Sequence, residues 1–340
     1  MFEFLRNVFI IGSIVLCIAT LVTYFRAKPR NWGVVQLKSG SLGSGKTYLS
    51  VSEVLKRYKK LRKKEKKQNR SLFKKKSPFR VKVYSNIPLY LGHGEYSEVL
   101  TREHILLIDP FPDDVIPLVL WDEVGLSANQ YSFDDPNISS RNINDDFRCV
   151  ETFIRLFRQF YGENSGDACR ILATDQASGD VCIALRRRFG FVDNLSNFRR
   201  WLGFMPFYKV DVNTLMVQED SVVNTNNVKK EKDEKQDYYF GFFPYRWMSK
   251  IPRYDSHCFS GVKYTGFSRK LNFSNWKYNN YSYIDGDGAL HVDILKTNYC
   301  PDLRMSDVEL AEYKARLALI QKLTKDRIFS DEKDIILQEG

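Results

Sequence analysis

The sequence predicts an α/β fold with a mostly parallel sheet, and three observations support it. Short apolar runs alternate with stretches of helical spacing between Trp32 and Thr174. A glycine-rich segment, Gly40 to Thr47, lies between the first such run and a helix. A later apolar run, Leu118 to Trp121, ends in two adjacent acids, Asp122-Glu123. Strands alternating with helices bury both faces of a sheet, which is the arrangement of parallel strands.

The chain opens with eighteen uncharged residues, Val8 to Phe25, spanning roughly 27 Å as a helix, enough for the hydrocarbon core of a bilayer. Arg6, offset by Glu3, precedes them, and Arg26, Lys28 and Arg30 follow. A single-pass anchor is expected within residues 1–30, with the N-terminus outside and the rest on the cytoplasmic side. A cleaved leader would carry a shorter apolar stretch and small residues at the cut, which Thr23-Tyr24-Phe25-Arg26 does not supply. An amphipathic surface helix would need a polar face, and a core helix would not be apolar all round at a chain terminus.

After Pro29, Trp32 to Leu37 reads as a short buried strand and Tyr48 to Lys67 as a helix with a basic end. Arg80 to Tyr84 alternates like a strand, and Ile105 to Ile108 and Leu118 to Trp121 read as doubly covered strands. Ser127 to Asp146 is a long polar loop, Phe147 to Phe160 has helical spacing, and Arg170 to Thr174 is the next strand. These elements define a domain over residues 31–197. Residues 198–237 read as a β-rich extension and charged linker. Residues 238–340 form a smaller aromatic-rich region closing in an amphipathic helix, Ser306 to Arg327, with Ser306 as its N-cap.

The net charge of +11 is local. Lys56 to Lys76 holds thirteen Lys or Arg and one Glu, so the remainder of the chain sums to about −1. That run suits a solvated extension, single-stranded nucleic acid or anionic lipid. The six cysteines, Cys17, Cys149, Cys169, Cys182, Cys258 and Cys300, lie far apart, which argues against a zinc site or a disulfide framework.

The chemistry-bearing residues begin with Gly40-Ser41-Leu42-Gly43-Ser44-Gly45-Lys46-Thr47, which satisfies GxxxxGK[ST]. The glycines let successive N–H groups turn toward phosphate oxygens, Lys46 reaches the β- and γ-phosphates, and the Thr47 hydroxyl takes a position on Mg2+. With Tyr48 next to it, this segment is the expected binding site for ATP. Its bland alternative is a glycine-rich turn that binds nothing. Asp122 is expected to hold Mg2+ through water, and Glu123 to orient or deprotonate the attacking water. Asp109 is a rival metal ligand, and a helix N-cap is the structural alternative for Asp122-Glu123. Gln176, just past the strand 170–174, is expected to sense the γ-phosphate or position water, with an ordinary polar loop residue as its alternative. Arg155, Arg158 and Arg186 to Arg188 are candidates to complete a neighbour's site in an oligomer.

The order GSLGSGKTYLSV, VYSNIPL, LVLWDEVG, FIRLFRQF, RILATDQ and ALRRRF resembles the zonula occludens toxin family, which includes the assembly ATPases of filamentous phages. The resemblance covers about Trp32 to Phe189. It implies a RecA-like P-loop NTPase core, residence in the host inner membrane, and a role in extruding virions with their single-stranded DNA and coat protein. Lys46, Thr47, Asp122 and Glu123 fall on matching motif positions, and Gln176 follows them. The membrane span departs from the pattern, preceding the ATPase segment where the family's span follows it. The expectation is a homo-oligomeric, membrane-anchored ATPase. Its rivals are another DNA-translocating ATPase of the conjugation or chromosome-transfer type, or a non-hydrolysing scaffold gated by nucleotide.

Overall fold

The computed structural model of the chain describes residues 2–27, 35–70, 79–106, 111–112, 114–128, 149–150, 152–154, 157, 170–181, 185, 188–189, 191–203, 207–216, 237–242, 253–254, 282–284, 290–292, 303, 305–319 and 322. Helix α1 (Phe2–Arg26) is 25 residues long, and nearly all of its apolar side chains are exposed. It is long and apolar enough to cross a membrane.

Strand β1 (Val35–Ser39) is buried at every position and runs into the glycine-rich turn. Helix α2 (Lys46–Arg70) leaves that turn. Val51, Val54, Tyr58 and Leu61 repeat at helical spacing and are buried, forming the stripe that packs on the sheet. Lys56, Lys59, Lys60, Lys63, Lys64, Lys66 and Lys67 are exposed, so this part of the basic run is a solvated helix face. Residues 71–76 of the run lie outside the described residues.

Strand β2 (Arg80–Ser85) is followed by three short strands, β3 (Leu89–Gly92), β4 (Glu95–Tyr96) and β5 (Glu98–Val99). The apolar run at Ile105, expected as a strand, instead enters helix α3 (Arg102–Leu106). Thr101 starts that helix, its backbone N–H donating to His104 Nδ1 at 3.1 Å, and Ile105 and Leu106 turn inward. A buried helix end and a buried strand give the same short apolar run, so periodicity alone does not separate them. Residues 107–108 lie outside the described residues.

Strand β6 (Val115–Trp121), fully buried, leads to the short α4 (Val124–Ser127). Strands β7 (Arg170–Asp175), β8 (Phe191–Arg200), β9 (Phe207–Met216) and β10 (Asp237–Phe242) complete one eight-stranded sheet of order β10-β9-β8-β1-β7-β6-β2-β5. Its β8-to-β5 part is parallel, and β8, β9 and β10 pair antiparallel. The sheet is continuous across residue 197, where the sequence suggested a boundary, because β8 runs through that position. Two small sheets pair β11 (Arg253–Tyr254) with β3, which also pairs β4, and β12 (Ser282–Ile284) with β13 (Leu290–Val292).

Helix α5 (307–319) is capped as expected. The Ser306 N–H donates to Glu309 Oε2 at 2.8 Å, and the Glu309 N–H returns to Ser306 Oγ at 3.4 Å, a capping box. Arg102 binds both oxygens of Glu309, at 2.6 and 3.0 Å, tying α5 to α3. That fork holds the Glu309 carboxyl down at about 2. The Ser127 to Asp146 loop beyond Ala128, and the candidates Arg155, Arg158, Arg186 and Arg187, lie outside the described residues. Cys17 and Cys149 are free thiols.

Among the described residues, one charged pair is fully inside. Lys38 Nζ meets Glu53 Oε2 at 2.5 Å, with side-chain exposures of 0% and 2%. It joins β1 to α2 on either side of the glycine-rich turn. Removing one partner strands a charge without water, so Lys38→Ala or Glu53→Ala is expected to cost about 3–5 kcal/mol in chemical denaturation. The double variant Lys38→Met/Glu53→Leu should recover most of that loss. Single variants that unfold like the wild type would show that the pair is hydrated.

Candidate functional site

The segment 40–47 turns sharply because its glycines take conformations that side chains resist. Gly43 and Gly45 have φ of 81° and 82°. At Gly45 a Cβ would stand 2.5 Å from the ring of Phe198, a β8 residue that lies against the loop. At Gly40 it would stand 2.5 Å from the Leu195 carbonyl oxygen and 2.6 Å from Ser44 Oγ. Ser39 Oγ also bonds Asn194 Oδ1. The loop is therefore braced by β8, and Tyr48, Phe198 and Tyr208 pack as three rings beside it, with centroids 5.6 to 5.9 Å apart.

Helix α2 begins at Lys46, so its first free N–H groups and the positive end of its dipole face the loop. The Ser44 hydroxyl oxygen is buried and has no hydrogen-bond partner among the described residues. Lys46 Nζ lies 3.1 Å from Glu123 Oε1 and 3.4 Å from the Gly40 carbonyl oxygen.

Asp122 directly follows β6, two strands from β1, because β7 lies between them. Thr47 Oγ1 donates to Asp122 Oδ1 at 3.0 Å from above, and Thr174 Oγ1 on β7 donates to the same oxygen. The backbone of Asp122 is clamped by Asn86, whose Nδ2 donates to its carbonyl at 2.7 Å and whose Oδ1 accepts its N–H at 2.8 Å. Burial pushes the Asp122 carboxyl up to about 6, against the two hydroxyl donors that favour its charge.

Glu123 occupies the left-handed region, φ 51° and ψ 56°, an uncommon conformation for a residue with a side chain. Its N–H reaches Thr174 Oγ1 at 3.2 Å. The turn is pinned from the next strand, where Asp175 Oδ2 accepts the Gly125 N–H and Asp175 Oδ1 accepts the Gln176 N–H at 2.7 Å. Burial raises the Asp175 carboxyl to about 6 as well. Gln176 has an exposed side chain, and its carbonyl oxygen accepts the Gly40 N–H at 3.1 Å.

The structure thus brings Lys46, Thr47, Asp122 and Glu123 to one end of the sheet, and adds Asn86, Thr174 and Asp175. Asn86 and Thr174 lay inside motifs already visible in the sequence, VYSNIPL and RILATDQ. Only the strand order shows that both address Asp122. No group of three or more His, Cys, Asp or Glu side chains able to hold a metal occurs among the described residues.

No protein-family model and no curated protein matches the chain. Among solved structures it is similar to the N-terminal domain of zonular occludens toxin from Neisseria meningitidis. The identity is 15% and the TM-score 0.31, over 56% of this chain and 87% of that one. That likeness is weak, and the chemistry of the site rests on its own geometry.

The two raised carboxyls set a pH dependence. Unfolded, both titrate near 3.9, so between about pH 4 and 6 the folded chain holds more protons there. Their contribution to stability is full below that window and is lost as pH rises through about 6. In metal-free buffer at pH 8, Asp122→Asn should stabilise the fold by about 1–3 kcal/mol, and at about pH 4 by almost nothing. Melting curves at the two pH values, with a chelator present, check this; an equal shift at both would contradict it.

Proposed function

We propose that the chain is a membrane-anchored P-loop ATPase, with ATP held by residues 40–47 and Mg2+ held between Thr47 and Asp122. The observation that carries it is the meeting of four groups at the carboxyl end of the sheet: a positive-φ glycine loop, the Lys46 ammonium, the Thr47 hydroxyl and the buried Asp122 carboxylate. The residues present fit these ligands. The partnerless Ser44 hydroxyl and the α2 N-terminus are donors facing the loop, as phosphate oxygens require. A magnesium ion bound mainly by phosphates and water needs only a carboxylate and a hydroxyl from the protein.

Thr47 and Asp122 would hold Mg2+, which would supply charge neutralisation to the phosphate. The protein's own steps follow from the contacts. Lys46 exchanges its carboxylate partner for phosphate oxygen, which releases Glu123. Glu123, held in its strained turn by Thr174, would then accept a proton from the water that bonds to the γ-phosphorus as the phosphorus bond to the ADP oxygen breaks. Asp122 keeps its charge only where donors or a cation offset its burial, and Thr47 and Thr174 provide the first of these. Gln176 lies next to Asp175 at the same edge and is proposed to position water.

The biological role rests on the motif order resembling the zonula occludens toxin family. On that basis the ATPase drives assembly and export of filamentous phage from the host inner membrane, as a homo-oligomer, with single-stranded DNA and coat protein as partners. The anchor is assigned to residues 1–30 with the N-terminus outside, and the ATPase segment to residues 31–197 in the cytoplasm. Residues 198–237 serve as its extension, and 238–340 as a C-terminal region whose first strand, β10, belongs to the same sheet. The exposed lysines of the basic run from Lys56 suit a solvated face, anionic lipid or single-stranded nucleic acid.

The test is ATP turnover by the full chain in detergent or nanodiscs, with and without single- or double-stranded DNA. Lys46→Ala should lose nucleotide binding and turnover together. Glu123→Gln should still bind ATP and lose turnover by roughly 10²- to 10⁴-fold. A folded oligomeric wild type that binds ATP without hydrolysing it would replace the motor with a nucleotide-gated scaffold. Stimulation by double-stranded DNA alone would point to a different DNA motor.

A further inference from the structure

Strand β8 does not stop where the glycine-rich loop begins. Ser39, the last residue of β1, pairs with Asn194, and β8 continues to Arg200, about 20 Å further. Along that stretch it breaks register with β9. Ser196 faces Asp211 and Arg199 faces Lys209, so Asn197 and Phe198 together oppose Val210. This is a β-bulge. Asn197 turns it in the left-handed region, at φ 53°, and its Nδ2 donates to Asp211 Oδ2 at 3.0 Å. Side chains alternate along a strand, so without the extra residue Phe198 would fall on the face of Ser196. The bulge brings its ring instead to the face of Leu195, Tyr208 and Val210, the side on which Gly45 lies.

There the ring meets Tyr48, from the first turn of α2. The centroids of Phe198 and Tyr48 are 5.6 Å apart, and Tyr208 lies 5.6 Å from the first and 5.9 Å from the second. Tyr208 is buried behind the other two, which are half-buried. The strand order decides what this aromatic corner faces. Asp122 and Glu123 follow β6 and Gln176 follows β7, all on one side of β1, while Phe198 comes from β8 on the other. Thr47 and Asp122, assigned to Mg2+, and the Lys46 ammonium beside Glu123 therefore direct the β- and γ-phosphates toward β6 and β7. The α-phosphate and the nucleoside would then leave the loop toward β8.

We propose that Phe198, with Tyr48 beside it, forms the stacking platform for the base of the bound nucleotide. This rests on residues 40–47 holding a nucleoside triphosphate. Ring-on-base stacking needs an apolar face at the right height, and the bulge supplies it. Bulges beside active sites re-aim single side chains, and here the re-aimed one is Phe198.

The experiment measures dissociation constants of the full chain in detergent for ATP and for inorganic tripolyphosphate, each with Mg2+. Tripolyphosphate carries the phosphates without a base. Phe198→Leu keeps an apolar side chain against Gly45, and Phe198→Ala removes it. Both should weaken ATP by about 5- to 150-fold and leave tripolyphosphate within about twofold. Phe198→Tyr should keep the affinity for ATP. The leucine variant decides the matter if the alanine variant fails to fold. Equal weakening of both ligands, or no change in either, would overturn the proposal. The ring would then only brace the loop, and the nucleotide reading would stand. A folded wild type that binds neither ligand would overturn the nucleotide reading itself.

Discussion

A carboxylate kept from water at the end of β6 is the fixed point around which the site is arranged. Asp122 is 2% exposed, and its charge there is tolerated only through donors aimed at it. Each donor comes from a different element: Thr47 from the first turn of α2, Thr174 from β7, and Asn86, through the backbone, from the end of β2. None can move far without leaving a buried acceptor unmet. The left-handed turn at Glu123 follows from the same constraint. Thr174 serves both the carboxylate of Asp122 and the N–H of Glu123, so the chain must reverse at once after β6.

Much of this was legible in the sequence because it depends on short-range pattern. The glycine spacing of residues 40–47, the helix after it, and the buried strand ending at Asp122 are each written in fewer than ten consecutive residues. The capping box at Ser306 is legible for the same reason. What could not be read is what depends on strand order. Thr174 and Asn86 are ordinary polar residues until β7 and β2 flank β6. The strand expected at Ile105 became a helix end because a buried apolar pair carries no period of its own. The sheet's continuation past residue 197 was hidden too. Phe198 reads as one aromatic among many, and its place against Gly45 comes only from the parallel pairing of β8 with β1.

That pairing makes β8 and β9 a wall for the glycine-rich loop, and the wall is polar within. Asp193 on β8 accepts from Gln36 on β1, Tyr239 on β10 and Thr214 on β9. Lys38, one strand position before Ser39, pairs with Glu53 and stands 5.4 Å from the centre of the Tyr239 ring. Buried polar networks of this kind fix a single arrangement more than they add stability. Strands, loop and helix are thereby held in one register from the edge at β10 to the start of α2.

The strand order also sets when the protein can form. β1 lies near the beginning of the chain, yet both its neighbours in the sheet come late. Val35 pairs with Ile171, and Gln36 with Phe191. At synthesis rates of about 5–20 residues per second, β1 waits roughly seven to thirty seconds for its first partner. During that interval a strand destined for full burial and its glycine turn are without a sheet, while α1 has already left the ribosome. Such long-range parallel pairings are slow to close and prone to stray association. Growth temperature and chaperone supply should therefore govern the yield of this chain more strongly than the equilibrium stability of its finished sheet.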